Sequence, residues 1–275
     1  MRIPIRPIVH ARACAEPMGL FGRDAARHRS RLGAMQGFTP ETSFGPEVAA
    51  LQEAHVRGDE DACADFLAGL ASGRAALEFA IGAGRVALPL SRRGVRVDGI
   101  ELSQSMVDVL RTRPGGAELD VRVGDMATTS MDRRYGLVYL VYNTIFNILT
   151  QDGQVECFEN AARHLDHDGA FVIEAAVPSA WLPIHSYTRP ERVEADAVTL
   201  DVCSYDPATQ VLDENHVRIA ADGIRFAPIA CRLAWPSELD LMARIAGLEL
   251  VERWGGWQRQ PYTGNDAHVS IYAKA

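Results

Sequence analysis

Apolar positions fall into short, regular elements from about residue 45 and keep that regularity to the end of the chain. Residues 46–55 and 61–70 place apolar side chains at helical spacing. The apolar run 75–80 meets a small-residue turn, Gly82-Ala83-Gly84, and a second helical pattern follows over 85–92. This predicts a buried strand, a tight turn and a helix, with Gly94 closing the helix as a C′ residue. A second strand is predicted over 95–100, ending in Glu101, and Ser103 is the expected N-cap of a helix through Leu110. Leu119–Val123 predicts a third strand running into Gly124-Asp125-Met126. Gly136–Tyr142 is apolar throughout, as a central strand covered on both faces would be. A helix over 151–165 and a strand over 169–175 complete the series.

Strands alternating with helices predict an α/β fold, a doubly wound, mostly parallel seven-stranded sheet. The period then changes. Residues 196–233 alternate apolar and polar, with turn signals at Asp206-Pro207 and Asp222-Gly223, which predicts an inserted antiparallel β segment. Pro236 opens a last helix and Gly247 closes it, and 248–254 and 268–273 supply two final strands. The expected organisation is an N-terminal extension over 1–44, a nucleotide-type core over 45–178, an antiparallel cap over 179–235, and a helix with a strand pair over 236–275.

Composition narrows the chemistry. A chain of 275 residues that is 47% hydrophobic can bury a sizeable core. A net charge of −8 argues against a nucleic-acid partner. No apolar run is long enough for a membrane span, and the Arg-rich first thirty or so residues hold no continuous apolar stretch of the secretory kind. A cytoplasmic protein without a membrane partner is therefore expected. Cys14, Cys63, Cys157, Cys203 and Cys231 form no CxxC pair and read as reduced, mostly buried thiols. Lys274 is the single lysine, which excludes a lysine base, a Schiff-base lysine and a Walker-type phosphate loop. No His or Cys spacing matches a metal site, so no metal is expected.

Two cofactors compete for the glycine turn. Gly82-Ala83-Gly84-Arg85-Val86-Ala87 fits the GxGxxA form of nicotinamide-binding folds, and Glu101 stands where a ribose-binding acid belongs for either cofactor. Glu78 ahead of the glycines, Asp125 after the third strand, and a terminal helix with two strands favour S-adenosylmethionine. The order Glu78-Phe79-Ala80-Ile81-Gly82-Ala83-Gly84, then Gly99-Ile100-Glu101-Leu102-Ser103, then Gly124-Asp125-Met126, resembles the class I S-adenosylmethionine-dependent methyltransferases of small-molecule type. The family usually carries glycine where Ala80 stands.

The resemblance implies a cofactor site made by Glu78, Ala80, Gly82, Gly84, Glu101, Leu102, Asp125, Met126 and Tyr142. Glu101 would take both ribose hydroxyls, Asp125 the adenine amine and Met126 the ring face. Asn143, Phe146, Trp181 and Tyr187 would line the acceptor. His185, in an aromatic stretch just past the fifth strand, is the candidate catalytic base for a hydroxyl acceptor, whereas an amine needs no strong base. The acceptor atom, N, O or C, stays open. A nicotinamide-dependent oxidoreductase and a cofactor-binding scaffold or non-methylating enzyme on the same fold are the alternatives.

Further expectations concern packing and assembly. His164 and His167 should meet a helix dipole, and Trp181, Trp235, Trp254 and Trp257 are candidates to wall an apolar pocket. A strand-end Glu101 should contribute little to ligand-free stability. A homodimer through the antiparallel insertion is also expected, with a small-molecule substrate as the partner in chemistry.

Overall fold

The computed structural model describes residues 57–180 and 186–275, together with Met35 and Phe38. The expected helix at 46–55, the Arg-rich first stretch and Cys14 lie outside the described residues. Helices α1 (Glu60–Ala71), α2 (Ala87–Arg92) and α3 (Gln104–Thr112) alternate with strands β1 (Ala76–Phe79), β2 (Val97–Glu101) and β3 (Asp120–Val123). Next come β4 (Tyr135–Leu140), a 3₁₀ turn at Thr144–Asn147, α4 (Gln151–His164) and β5 (Leu165–Ala176). The strands form a seven-stranded sheet of order β10-β11-β5-β4-β1-β2-β3, closed on one side by α5 (Pro236–Ile245), β10 (Leu248–Trp254) and β11 (Ala267–Lys274). β1 to β5 run parallel, while β11 is antiparallel to β5 and β10 to β11.

Both faces of the central strands are covered, which is why they read as continuous apolar runs. Leu77, Val138, Phe171 and Tyr272 face α4 and α5. Ala76, Leu137, Tyr139 and Val172 face α1 and α2. Phe158 of α4 meets Phe171 and Tyr272 edge-on at centroid distances of 5.3 and 5.6 Å. Such edge-to-face pairs each contribute about 1 kcal/mol beyond the area they bury. Cys63 and Cys157 are free and buried among these layers, as are Cys203 and Cys231 in the cap.

The helix signals act as expected at two positions. Ser103 Oγ accepts from Met106 N–H at 3.3 Å and starts α3. Pro236 occupies the first turn of α5, where its missing N–H has no partner to lose. His164 departs from expectation. It is buried, with Nδ1 at 2.8 Å from the Asn160 carbonyl and Nε2 accepting from Met131 N–H at 2.8 Å. Burial holds its pKa below the usual histidine value. The neutral ring therefore pins the 126–131 segment to α4 and does not serve a helix dipole.

The insertion is a separate antiparallel sheet of order β6-β7-β8-β9: Tyr187–Val193, Ala197–Asp206, Val211–Ala220 and Gly223–Arg232. Its turns fall at the predicted Asp206-Pro207 and Asp222-Gly223 signals. β6 lies outside the span where alternation is visible. It contains Pro190, which an edge strand tolerates because one side makes no ladder bonds. The inner row of Leu212 and Cys231 joins the main core, and Asn147 Nδ2 lies 3.9 Å from Cys231 Sγ. The cap therefore rests on the 3₁₀ turn that follows β4.

Among the described residues no helix is long and apolar enough to cross a membrane.

The two motif glycines do different work. A Cβ on Gly84 would sit 2.5 Å from Leu110 Cδ1 and 3.0 Å from Leu88 Cγ, at φ +80°. A Cβ on Gly82 would meet only the Ala80 carbonyl, at 4.0 Å. Gly84→Ala should therefore destabilise the ligand-free protein by roughly 2–4 kcal/mol through overpacking and left-handed strain. Denaturant unfolding of Gly84→Ala beside Gly82→Ala checks this, with the smaller loss expected for Gly82→Ala.

Candidate active site

The site forms at the carboxyl ends of β1, β2, β3 and β4, where parallel sheets open a crevice. After β1 the chain makes a run of left-handed residues, Ala80 at φ +53°, Gly82 at +56° and Gly84 at +80°. Alanine holds the position where the family usually has glycine, and it takes the left-handed conformation all the same. Because nothing crowds the Cα of Gly82, its backbone is the part of the turn that a ligand can approach.

Glu101, at the end of β2, ties this turn down. Its Oε2 accepts from Gly82 N–H and its Oε1 from Ser103 N–H, both at 2.8 Å. The carboxylate is 5% exposed, yet each oxygen keeps a lone pair. Burial raises its pKa, opposed by the backbone N–H groups of Ser103, Gly82 and Leu102. Two spare acceptors on one fixed carboxylate fit a ribose diol. Leu102 itself is half-buried beside it. The expectation that Glu101 matters little to ligand-free stability is corrected here, since it braces two loops.

Asp125 follows β3 and is exposed, with its Oδ1 accepting from Ala127 N–H at 2.8 Å. Met126 beside it is buried, and its carbonyl accepts from Asn160 Nδ2 at 2.8 Å.

Beyond β4 the backbone turns sharply. Tyr142 and Asn143 are consecutive left-handed residues at φ +60° and +64°. Glu174 of β5 holds them: its Oε2 accepts from Tyr142 N–H at 2.9 Å and its carbonyl from Asn143 N–H at 3.1 Å. Asn143 Oδ1 accepts in turn from Ala176 N–H. Strained backbone of this kind persists where surrounding bonds over-determine it, and it gathers at functional sites. The Tyr142 side chain is 47% exposed as a result. Phe146, expected to line the acceptor, is wholly buried in the core. Its place is corrected to packing beneath the site.

Three charged residues emerge that the sequence reading did not single out. The Arg57 guanidinium lies 4.5 Å from the Tyr142 ring centroid and that of Arg85 lies 5.5 Å away. Arg57 pairs with Glu174 at 3.3 Å, and Arg85 with Asp59 at 3.0 Å. Arg85 Nη2 is buried without a hydrogen-bond partner among the described residues. An unpaired guanidinium nitrogen beside the Gly82 turn is a ready site for a carboxylate. Arg85 stands directly after the glycine turn, and Glu174 is the sole acid in the apolar run Phe171–Ala176, so both left a local trace.

Glu78 sits beneath them, 3% exposed, accepting from Tyr139 Oη at 2.9 Å. Burial pushes its pKa up to about 8, against the lowering effects of the Tyr139 hydroxyl and Arg85. Trp181 and His185 lie outside the described residues. Tyr187 starts β6 in the cap, its hydroxyl 3.1 Å from Asp201 Oδ2. Trp257 packs edge-on to Phe66 at 5.5 Å, while Trp254 donates to Glu252 at 2.8 Å.

A parallel sheet whose first turn is open to a ligand and whose second strand ends in a braced ribose-type acid defines a nucleotide-cofactor fold. Residues 76–169 match the methyltransferase-domain family. The CcbJ methyltransferase from Streptomyces caelestis is 35% identical, with a TM-score of 0.81 over 86% of this chain and 100% of that one. The cypemycin N-terminal methyltransferase of a Streptomyces species is 26% identical over 203 residues, 72% of this chain and 82% of that protein. CalS10, an amino pentose methyltransferase from Micromonospora echinaspora bound to S-adenosylmethionine, shares the fold at 20% identity. Its TM-score is 0.57 over 93% of this chain and 99% of that one. The chain belongs to the class I S-adenosylmethionine-dependent methyltransferases, and its cofactor is S-adenosylmethionine. The nicotinamide and scaffold alternatives are set aside.

Two outcomes follow for the site. Glu101→Gln should weaken S-adenosylhomocysteine binding by roughly 1–3 kcal/mol and also lower the ligand-free melting temperature, read by calorimetry and thermal unfolding. Glu78 sets a pH dependence. Its folded pKa near 8 exceeds the ordinary 4.5, so its share of stability is full below about pH 4.5 and is lost as pH rises through about 8. Glu78→Gln, neutral throughout, should flatten the fall in ligand-free melting temperature between pH 6 and 9. A parallel fall in both proteins would place the proton elsewhere.

Proposed function

We propose that the enzyme methylates an amine nitrogen of a small-molecule natural product held between the carboxyl end of β4 and the cap. The carrying observation is the polar inner face of the cap. Asp201, only 2% exposed, accepts from Tyr187, from Arg189 Nε at 2.9 Å and from Cys203 Sγ at 3.0 Å. Burial tends to raise its pKa, but those donors and Glu214 hold it low. Burial raises Glu214, whose neighbours include His216 and the Asp201 charge. Two carboxylates side by side on this face, with burial raising the pKa of Glu214 and hydrogen-bond donors lowering that of Asp201, suit a cationic or amine acceptor. Asp201, Glu214 and His216 bring possible ligand atoms within 4.8 Å of one another. Arg189 is already paired with Asp201 at 2.9 Å, which disfavours a metal there. The likeness to CalS10, an amino pentose methyltransferase, and to the cypemycin N-terminal methyltransferase supports the nitrogen reading.

The residues present suit the cofactor: an open Gly82 backbone, two spare Glu101 acceptors and the unpaired Arg85 Nη2. When bound, S-adenosylmethionine supplies an electrophilic methyl group on a sulfonium. In this reading Glu101 and Leu102 hold the ribose side, Asp125 and Met126 the adenine side, and Arg85 with Arg57 the carboxylate. Glu78, Ala80, Gly82 and Gly84 shape the turn beneath, and Tyr142 and Asn143 border the methyl group. The protein's work is to align nucleophile and methyl carbon and to exclude water. An amine attacks through its lone pair once its ammonium form has lost a proton to solvent, so no strong base is required.

The test measures S-adenosylhomocysteine release with matched amine and hydroxyl acceptors on an aminosugar or peptide frame. Turnover is expected with the amine, following the acceptor's own ionisation with pH, and His185→Ala should keep kcat within a few-fold. Turnover of the hydroxyl acceptor alone, with a loss of about 10²-fold in His185→Ala, would overturn the amine reading and make His185 the base.

A further inference from the structure

The end of the seven-stranded sheet opposite the crevice holds a second concave surface. Arg134 directly precedes β4, α4 ends at His164 just ahead of β5, and Lys274 closes the antiparallel β11. All three therefore meet at the amino ends of the parallel strands. Between them lies a cleft of about 540 Å³. Arg134, Arg163 and Lys274, the single lysine of the chain, line it together with Glu159. Ala162 and Ile245 add apolar surface. Ile245 is 65% exposed, and Leu241, one turn earlier on α5, is 52% exposed.

The cations of this cleft are held without countercharge. Arg134 Nη1 donates to the Arg163 carbonyl at 2.8 Å and to the Leu165 carbonyl at 3.2 Å. Lys274 Nζ donates to the same Leu165 carbonyl at 2.7 Å, and Arg163 Nη2 to Asn160 Oδ1 at 3.1 Å. Every acceptor is a neutral amide oxygen. Among the described residues no carboxylate, that of Glu159 included, stands within ion-pair distance of any of the three. Elsewhere arginines find acids: Arg74 pairs with Asp168, Arg122 with Asp132 and Arg253 with Asp240. The chain has 36 acidic residues against 28 basic ones, so the lack is local. Capping of α4 explains part of the arrangement, since carbonyls at a helix C-terminus attract cations. It uses one nitrogen of Arg134 and one hydrogen of Lys274. The Arg134 Nε and Nη2 groups and two ammonium hydrogens are left over among the described residues. Two charges on one carbonyl oxygen stand within about 6 Å of each other, a repulsion that a neutral acceptor does not cancel. His164 feels the same field: burial first, then the charges of Arg163, Arg134 and Arg122, hold its pKa low against the Asn160 carbonyl.

We propose that this cleft binds a dianionic phosphate monoester with an apolar organic part, at a site separate from the cofactor crevice. Lys274 offers a point charge to phosphate oxygens, and Arg134 and Arg163 offer forked donors. Two negative charges answer three cations and one Glu159 carboxylate, whereas a monocarboxylate leaves one cation unanswered. The exposed surface of Ala162 and Ile245 receives the organic part, as a few polar groups beside apolar lining do in small-molecule sites.

A single lysine makes the test direct. An amine-reactive acetyl ester modifies Lys274, and mass spectrometry of the peptide that carries it reads the rate. Phenyl phosphate at millimolar concentration, with S-adenosylhomocysteine saturating the crevice, should slow acetylation by about fivefold or more, and chloride at matched ionic strength should not. Arg163 is exposed and its guanidinium bonds only to Asn160, so Arg163→Gln should keep the parent's melting temperature and S-adenosylhomocysteine affinity. The same variant should weaken the protection by about tenfold. Acetylation that phenyl phosphate leaves unchanged, or that chloride slows equally, would overturn the proposal. So would protection undiminished in Arg163→Gln, which would put the anion elsewhere. Protection abolished by S-adenosylhomocysteine would assign the phosphate to the crevice and overturn it too. None of these outcomes bears on the acceptor chemistry.

Discussion

One carboxylate holds the crevice together. Glu101 ends β2, but its hydrogen bonds go sideways to the turn after β1 and forward to the start of α3. It thereby fixes three segments that would otherwise be joined only at their strand ends. The Ser103 N–H it receives is buried and that of Gly82 part-buried, and a buried donor that loses its acceptor costs about 1–3 kcal/mol. The left-handed run after β1 and the N-cap at Ser103 are then parts of one braced unit. The same group keeps free lone pairs for a ligand, so structural and binding roles share one side chain.

A second brace works on the far side of the crevice by the same means. Glu174 reaches from β5 to the backbone after β4 and to Arg57. Two left-handed residues in succession would cost on the order of 1–3 kcal/mol each if left alone. They persist because the side chain and carbonyl of Glu174 and the side chain of Asn143 bond across the turn. The exposed Tyr142 ring between two guanidinium groups follows from that backbone. Both guanidinium groups at this end are held by carboxylates before any ligand arrives, Arg57 by Asp59 and Glu174 and Arg85 by Asp59 and Glu60.

The central sheet was legible in the amino-acid sequence because its signals are local. β1, β2 and β4 are short apolar runs, Ser103 is a strong cap residue, and the Gly82-Ala83-Gly84 turn marks its own place. Signals failed where structure depends on distant partners. β6 reads YTRPERV and shows no alternation, since after Tyr187 every residue of this edge strand is exposed on whichever face it lies. β5 begins at Leu165, ahead of Gly169, because Leu165 pairs with Tyr135 of β4, and the polar stretch Asp166–Asp168 bulges out before the ladder resumes at Ala170. Arg57 and Glu174 are 117 positions apart, and no window around either shows the pair. Phe146 misled because an aromatic after β4 is equally fit for a pocket wall or a core, and only three-dimensional packing decides. The difference between Gly82 and Gly84 is likewise invisible in sequence: it depends on where the Leu110 side chain lies.

Ala80 has a consequence of a thermodynamic kind. Glycine at this position would leave the unfolded and ligand-free turn many conformations to sample. Alanine samples fewer, and here it stands in the left-handed region at φ +53°, a strain that the folded turn offsets. The conformational entropy is therefore lost when the chain folds and not when the nucleotide arrives. Recognition at the turn then resembles a key meeting a finished lock, in which little ordering cost is subtracted from the binding free energy.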